Sequence, residues 1–268
     1  MIHPSQDARS VEQLLHAARD TTCPPDSEEY WAATWALQFR LDSGLLSQLR
    51  KLAPSRDPRD RMFVADVLAQ GYNGAKRLCD DCIGTLLAML RAEEVSCVLI
   101  AIGNAFGHLR APAAVAPLTR LSSHQDASVR LAIVHGLLGQ ESPLAIETLI
   151  ELSADKDRDV RNWATFGLGS QADADSEAIR EALLARVSDA DDEISGEAIV
   201  GLAKRSDTRV VQPLLDAMQT ILQESNLEFG SLIIEAADLA REAAAKSSDQ
   251  GWRPLIRKLD ELGLGTPA

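Results

Sequence analysis

Residues 159–169 read DVRNWATFGLG, which places an acid, a base, an amide and two aromatics within one short segment. Such a cluster is either a reaction centre or one copy of a repeated unit. Self-comparison favours the repeat. Aligning DASVRLAIVHGLLG (126–139) with DRDVRNWATFGLG (157–169) sets Asp126, Val129, Arg130, Gly136 and Leu137 on Asp157, Val160, Arg161, Gly167 and Leu168 at a constant offset of 31. Extending this register gives equivalent positions at Leu37, Leu68, Ala105, Leu137, Leu168, Leu202 and Leu239, with successive spacings of 31 to 37. Fixed self-similarity with variable loop lengths is the signature of a repeat architecture.

Each unit reads as a helical hairpin. First helices are predicted in GLLSQLRKL (44–52), AVAPLTRLS (114–122), AIETLIELS (145–153), AIREALLARV (178–187) and VVQPLLDAM (210–218), where apolar residues recur at helical spacing. The second helix of the 157–168 unit is predicted to bury Val160, Trp163, Ala164, Gly167 and Leu168. One hairpin cannot cover its own apolar face, so neighbours must stack. The expected fold is all-α, a solenoid of about seven hairpins over residues 27–262, with an N-terminal cap at 1–26 and a tail at 263–268.

Composition agrees with helices packed through small side chains: hydrophobic residues make up 46% of the 268-residue chain and aromatics only 4%. The formal net charge of −13 and pI near 4.8 repel phosphate backbones and anionic membranes, so neither nucleic acid nor a membrane is an expected partner. A protein with a basic surface is. There is no long apolar run, and MIHPSQDARS has neither the basic start nor the apolar core of a secretory signal, which reads as a cytoplasmic protein.

The D-x-x-V-R element followed by A-x-x-x-L, the prolines Pro117, Pro213 and Pro254 inside first helices, and the period in the low thirties resemble bacterial HEAT-like repeats over roughly residues 27–262. DVRNWATFGLG, GEAIVGLAKRSDTRVVQPLLDAM and IIEAADLA resemble, more narrowly, the C-terminal half of the YibA-type HEAT proteins over about 155–260. The resemblance implies a right-handed superhelical α-solenoid whose second helices line a concave face. It also implies two candidate functions attached to such proteins: neutralisation of a toxin domain, and a lyase activity. The arginine of the repeat element is missing where Val98 and Ser195 stand, so those two joints are expected to be looser.

Within this scaffold Asp126, Asp157 and Asp191 are expected to cap helices. Arg130 and Arg161 read either as anion hooks or as ties to carboxylates and loop carbonyls of adjacent repeats. Trp163 is expected in the core, while Asn162 and Phe166 project from the other side as partner anchors. Trp31 and Trp35 form a stripe that is core or groove wall, and Trp35, His135, Arg130, Arg161, Glu197 and Glu235 are counted with Asn162 and Phe166 among the partner-facing residues of the concave face. Glu197 and Glu235 occupy or adjoin small apolar positions, so each is expected to need a cation such as Lys204 or Arg205.

Signs of chemistry are sparse. Cys79 and Cys82 have CxxC spacing without a second pair or a nearby histidine, and read as packing residues one turn apart. The acidic stretch ADADSE (172–177) lacks the glycine and glutamate of a calcium loop, having Ala178 and Leu184 at those positions, and helix capping by Asp175 or Ser176 accounts for it. His3, His16, His108, His124 and His135 are scattered, and HExxH, GxSxG and phosphate-loop motifs are absent. No metal or cofactor is expected. Three classes stay open: a non-enzymatic protein-binding scaffold or inhibitor, an enzyme of the lyase type, and a structural subunit.

Overall fold

A computed structural model describes residues 7–19, 27–69, 76–223 and 227–261. The tail expected at 263–268, parts of the cap at 1–26, His3 and Cys23 lie outside the described residues. The described elements are helices α1 (Val11–Arg19), α2 (Glu28–Gln38), α3 (Ser43–Leu52), α4 (Pro58–Leu68), α5 (Lys76–Leu90), α6 (Ser96–Leu109), α7 (Val115–Thr119), α8 (Ala127–Leu137), α9 (Pro143–Leu152), α10 (Arg158–Phe166), α11 (Glu177–Leu184), α12 (Asp192–Lys204), α13 (Val211–Gln223), α14 (Leu227–Lys246) and α15 (Arg253–Glu261). No strand occurs among them. They pair in order from α1–α2 to α13–α14, and α15 follows unpaired.

Two compact units divide the chain, Met1–Leu138 and Gly139–Ala268. In the first, α2, α4, α6 and α8 stack in succession as the second-helix layer, and α3, α5 and α7 flank it; α1, expected as a separate cap, packs on α2 and α4. In the second, α10, α12 and α14 form that layer, flanked by α9, α11, α13 and α15.

Local chemistry explains where each second helix starts. Asp57, Asp126, Asp157 and Asp191 all sit at N-caps in extended conformation, their carboxylates accepting backbone N–H bonds from the first turn. First helices α3, α9 and α11 are capped in the same way by Asp42, Ser142 and Ser176, and others begin differently. Pro117, Pro213 and Pro254 fall within the first turn of α7, α13 and α15, where the missing N–H costs no intrahelical bond. A 3-10 turn precedes each of these three helices.

The repeat register holds for six of its seven positions: Leu37, Leu68, Ala105, Leu137, Leu168 and Leu202 are fully buried. In α14 it is displaced by one residue. Leu239 is half-buried, whereas Ile233, Ala236 and Ala240 are in the core, so Ala240 is the structural equivalent of Leu202.

Second helices approach closely where glycine allows it. A Cβ on Gly169, in the π-helical turn Gly167–Gln171 that ends α10, would lie 2.6 Å from the Glu197 carbonyl oxygen of α12. This backbone contact brings the outer edges of α10 and α12 within side-chain reach of each other.

Candidate functional site

In the second unit α10 leaves only a narrow arc uncovered, while the equivalent row of α12 is covered at Glu197 and Val200 and α14 is more broadly exposed. On α10 and its π turn that arc is Asp159, Trp163, Phe166 and Ser170, spaced four, three and four residues apart. Structurally equivalent positions are Glu193, Glu197, Val200 and Lys204 on α12, and Ser231, Glu235, Asp238 and Glu242 on α14. Side-chain interactions join the first two rows: the Ser170 hydroxyl donates to Glu197 Oε2 at 2.6 Å, and Arg158 Nη2 donates to Glu193 Oε2 at 2.6 Å. The face of the second unit thus presents an aromatic pair beside a field of carboxylates.

This arrangement corrects the expected faces of α10. Trp163 is 39% exposed rather than in the core, Asn162 is buried, and Phe166 is half-buried. Trp163 and Trp-facing Phe166 meet edge to face with ring centroids 5.5 Å apart. The apolar stripe Val160–Ala164–Leu168 centres the buried arc, and Thr165 extends it to the side that also carries Asn162. Positions three and four after Val160 both satisfy a helical pattern, so periodicity alone chose the wrong flank. Asn162 Oδ1 has no hydrogen-bond partner among the described residues.

Glu197 and Glu235 also differ from expectation. Glu197 is buried, but its partner is the Ser170 hydroxyl and not a cation. Burial raises its pKa, the neighbouring carboxylates Glu235 and Glu193 add to the rise, and the Ser170 hydrogen bond opposes it. Glu235 is exposed; it looked core-like only because the α14 register was one residue out.

Lys204 Nζ instead donates to the carbonyls of Ser170 and Ala172 and to Asp173 Oδ1, at 3.0–3.2 Å. Arg205 is 7% exposed, and its guanidinium holds the carbonyl oxygens of Leu168, Ala172, Ala174 and Gly201 at 2.7–3.1 Å. The π turn and the residues after it leave the carbonyls of Leu168, Ala172 and Ala174 outside the α-helical pattern, and Arg205 satisfies them together with the Gly201 carbonyl near the end of α12. Its fixed role was not legible from sequence, because a carbonyl cage has no residue-type signature.

Arg161 ties one repeat to the next. Its Nε donates to Asp189 Oδ2 at 2.8 Å, and its Nη1 to the Asp155 carbonyl at 2.9 Å. Arg130, in the first unit, is buried and donates from Nη1 to the His124 carbonyl at 2.8 Å. Arg61 repeats the pattern, with two bonds to Glu93 and one to the Ser55 carbonyl, although Asp60 replaces the valine that the sequence motif required. Where Ser195 stands for the arginine, its hydroxyl donates to the Val187 carbonyl at 2.8 Å, so that turn is still anchored.

The remaining expected residues lie in the first unit. Trp35 is 41% exposed on α2, its ring centroid 6.1 Å from that of half-buried Trp31. His135 is half-buried on α8 with Nδ1 3.0 Å from Asn104 Oδ1. Burial and His108 both lower its pKa. Cys79 and Cys82 are one turn apart on α5, Cys82 is buried, and burial raises its pKa to about 11, so it is a poor thiolate at neutral pH. Among the described residues no cluster of three or more histidine, cysteine, aspartate or glutamate side chains is arranged to hold a metal. Nor is any described helix long and apolar enough to cross a membrane.

Successive antiparallel pairs with a buried second-helix layer define an α-helical repeat protein. A family model described as HEAT repeats matches residues 83–169 and 146–221, together just over half of the sequence, and the chain belongs to the HEAT-repeat family. No curated protein sequence matches it. The crystal structure of YibA from Escherichia coli is similar at a TM-score of 0.71 and 22% identity, covering 94% of this chain and 93% of that one. Two engineered proteins are similar at TM-scores of 0.52 and 0.55 with 19% and 20% identity. The first match covers 74% of this chain and 97% of that one, the second 93% and 73%. These likenesses establish an all-α HEAT-like solenoid fold, the architecture of a repeat-based protein-interaction scaffold.

Proposed function

We propose that this chain is a non-enzymatic cytoplasmic scaffold whose second-helix face in the second unit docks a protein with a basic surface. The observation that carries this reading is the Trp163–Phe166 pair set beside Glu193, Glu197 and Glu235. A partly exposed tryptophan supplies apolar contact area, and surrounding carboxylates steer a cationic partner and fix its orientation. The net charge of −13 extends the same sign over long range. Arg161 then acts through the scaffold by tying α10 to the turn before α12, while Asn162 is buried behind this face and Arg130 anchors a turn of the first unit. Trp35 and His135 belong to the first unit, where they offer secondary contacts.

The finer reading is that the partner is a basic toxin domain and the chain its immunity protein. Support comes from the resemblance to YibA-type proteins and from the acidic aromatic face. Co-expression with a toxin encoded beside its gene tests this: growth is restored by the unmodified chain and lost again with Trp163→Ala combined with Glu235→Lys. Direct binding of the purified pair should weaken at least about tenfold in that double variant and fall as salt rises. Rescue by the double variant at unmodified levels, with unchanged affinity, would refute the face assignment.

A further inference from the structure

A cavity of about 710 Å³ lies in the first unit. Residues 53–56, in the turn between α3 and α4, form one wall, and one side of α5 forms the other. Ala53, Pro54, Ala88, Met89 and Ala92 make these walls apolar. Three guanidinium groups, Arg50, Arg56 and Arg61, border the same space.

Two of these arginines are held in place. Arg61 is fixed by Glu93, and Arg50 donates to Thr85 Oγ1 at 3.1 Å and to Asp81 Oδ1 at 2.5 Å. Neither is saturated, because a guanidinium carries five N–H donors, and Arg50 Nη1 meets no acceptor among the described residues. Arg56 is exposed and forms no ion pair among the described residues. Arg50, Arg56 and Arg61 are offset by Glu93, Asp81 and Asp57, so attraction for an anion rests on the unfilled guanidinium N–H groups rather than on a net local charge.

We propose that this cavity binds a small monocarboxylate with an aliphatic tail, its carboxylate on Arg50 and Arg56 and its tail against Met89, Ala88 and Pro54. Planar guanidinium forks match a carboxylate in two-point geometry. An aliphatic tail gains from the apolar walls, which inorganic phosphate cannot use. The volume falls within the usual range for small-ligand sites, which are largely apolar with a few placed polar groups.

The isotopically labelled full chain, titrated with hexanoate, hexanamide and inorganic phosphate at constant ionic strength, tests this by amide chemical shifts. Hexanoate should give saturable shifts at Thr85, Ala88 and Glu93, while hexanamide and phosphate bind at least about tenfold more weakly. Arg56→Ala removes an exposed side chain, and Gly84→Leu places bulk in the cavity from an open helix position; each should weaken hexanoate about tenfold with the fold intact. No saturable hexanoate shift, equal response to hexanamide, tighter binding of phosphate, or unchanged affinity in both folded variants would each overturn the proposal.

Discussion

Arg161 Nε lies 2.8 Å from Asp189 Oδ2, a bond between α10 and the turn that precedes α12, and both side chains are largely withdrawn from solvent. Burial pushes the Asp189 carboxyl upward, but the hydrogen bonds from Arg161 and from the Asp191 N–H outweigh it and hold the pKa below the ordinary value. A depressed carboxylate contributes stability above its unfolded pKa of about 4 and loses that contribution as pH falls through the folded value. Arg161→Ala should therefore cost about 2–4 kcal/mol in urea unfolding at pH 7, with a smaller difference at pH 3. Arg161→Lys should recover little of it, because lysine cannot hold the Asp155 carbonyl and the carboxylate in the same fixed fork. Equal stability of all three proteins at pH 7 would remove Arg161 as an inter-repeat tie.

In the first unit the Tyr30 hydroxyl donates to Asp66 Oδ2 at 2.5 Å, with Tyr30 in edge-to-face contact with Trp31 and Phe63. Burial raises the Asp66 pKa to about 6, and the Tyr30 bond partly offsets it. The folded state consequently binds a proton more tightly than the unfolded chain. This contribution is complete below about pH 4 and lost as pH rises through about 6. Carboxyl-detected NMR should find Asp66 titrating near that value, and Tyr30→Phe should move the titration higher. A downward move would show that the hydroxyl does not stabilise the carboxylate.

Much of this architecture was legible in the sequence, for a physical reason. Buried positions in stacked hairpins recur with the repeat, and Asp57, Asp126, Asp157 and Asp191 cap helices through local chemistry that distant contacts do not alter. Which flank of a stripe is covered depends on neighbouring helices, and that is where Trp163 and Asn162 were exchanged. The one-residue displacement in α14 followed from Ala240 filling the position that leucine marks in most other repeats, with Leu239 beside it as a false match. Carbonyl ligands carry no side-chain signal at all, so the Arg205 cage was invisible while its residue number was not.

Two glycines should respond in opposite directions. Gly169 has no room for a methyl group, because the rigid backbone oxygen of Glu197 is 2.6 Å from the site of a Cβ; Gly169→Ala must separate α10 from α12 and should cost about 1–3 kcal/mol or more. Gly84 lies within α5 with nothing within 4 Å of its Cβ site, so Gly84→Ala should stabilise by about 0.5–1 kcal/mol through helix propensity. Thermal unfolding of both variants checks the helix spacing, and a neutral Gly169→Ala would mean the two helices are farther apart than this contact requires.

The arc on α10 makes three neighbouring substitutions diverge in stability. Leu168 is fully buried, so Leu168→Ala should cost about 2–5 kcal/mol as an ordinary core truncation. Asn162 is buried with an unsatisfied Oδ1, so Asn162→Ala exchanges a lost side-chain contact for relief of a stranded polar atom and should change stability by less than about 1 kcal/mol. Trp163→Ala removes a ring that is 39% exposed and packed edge to face on Phe166, so its cost should stay below that of Leu168→Ala, at about 1–2 kcal/mol. Urea unfolding of the three variants at one pH ranks them. If Trp163→Ala is as damaging as Leu168→Ala, the tryptophan supports the core after all, and its role as an anchor for a partner loses its basis.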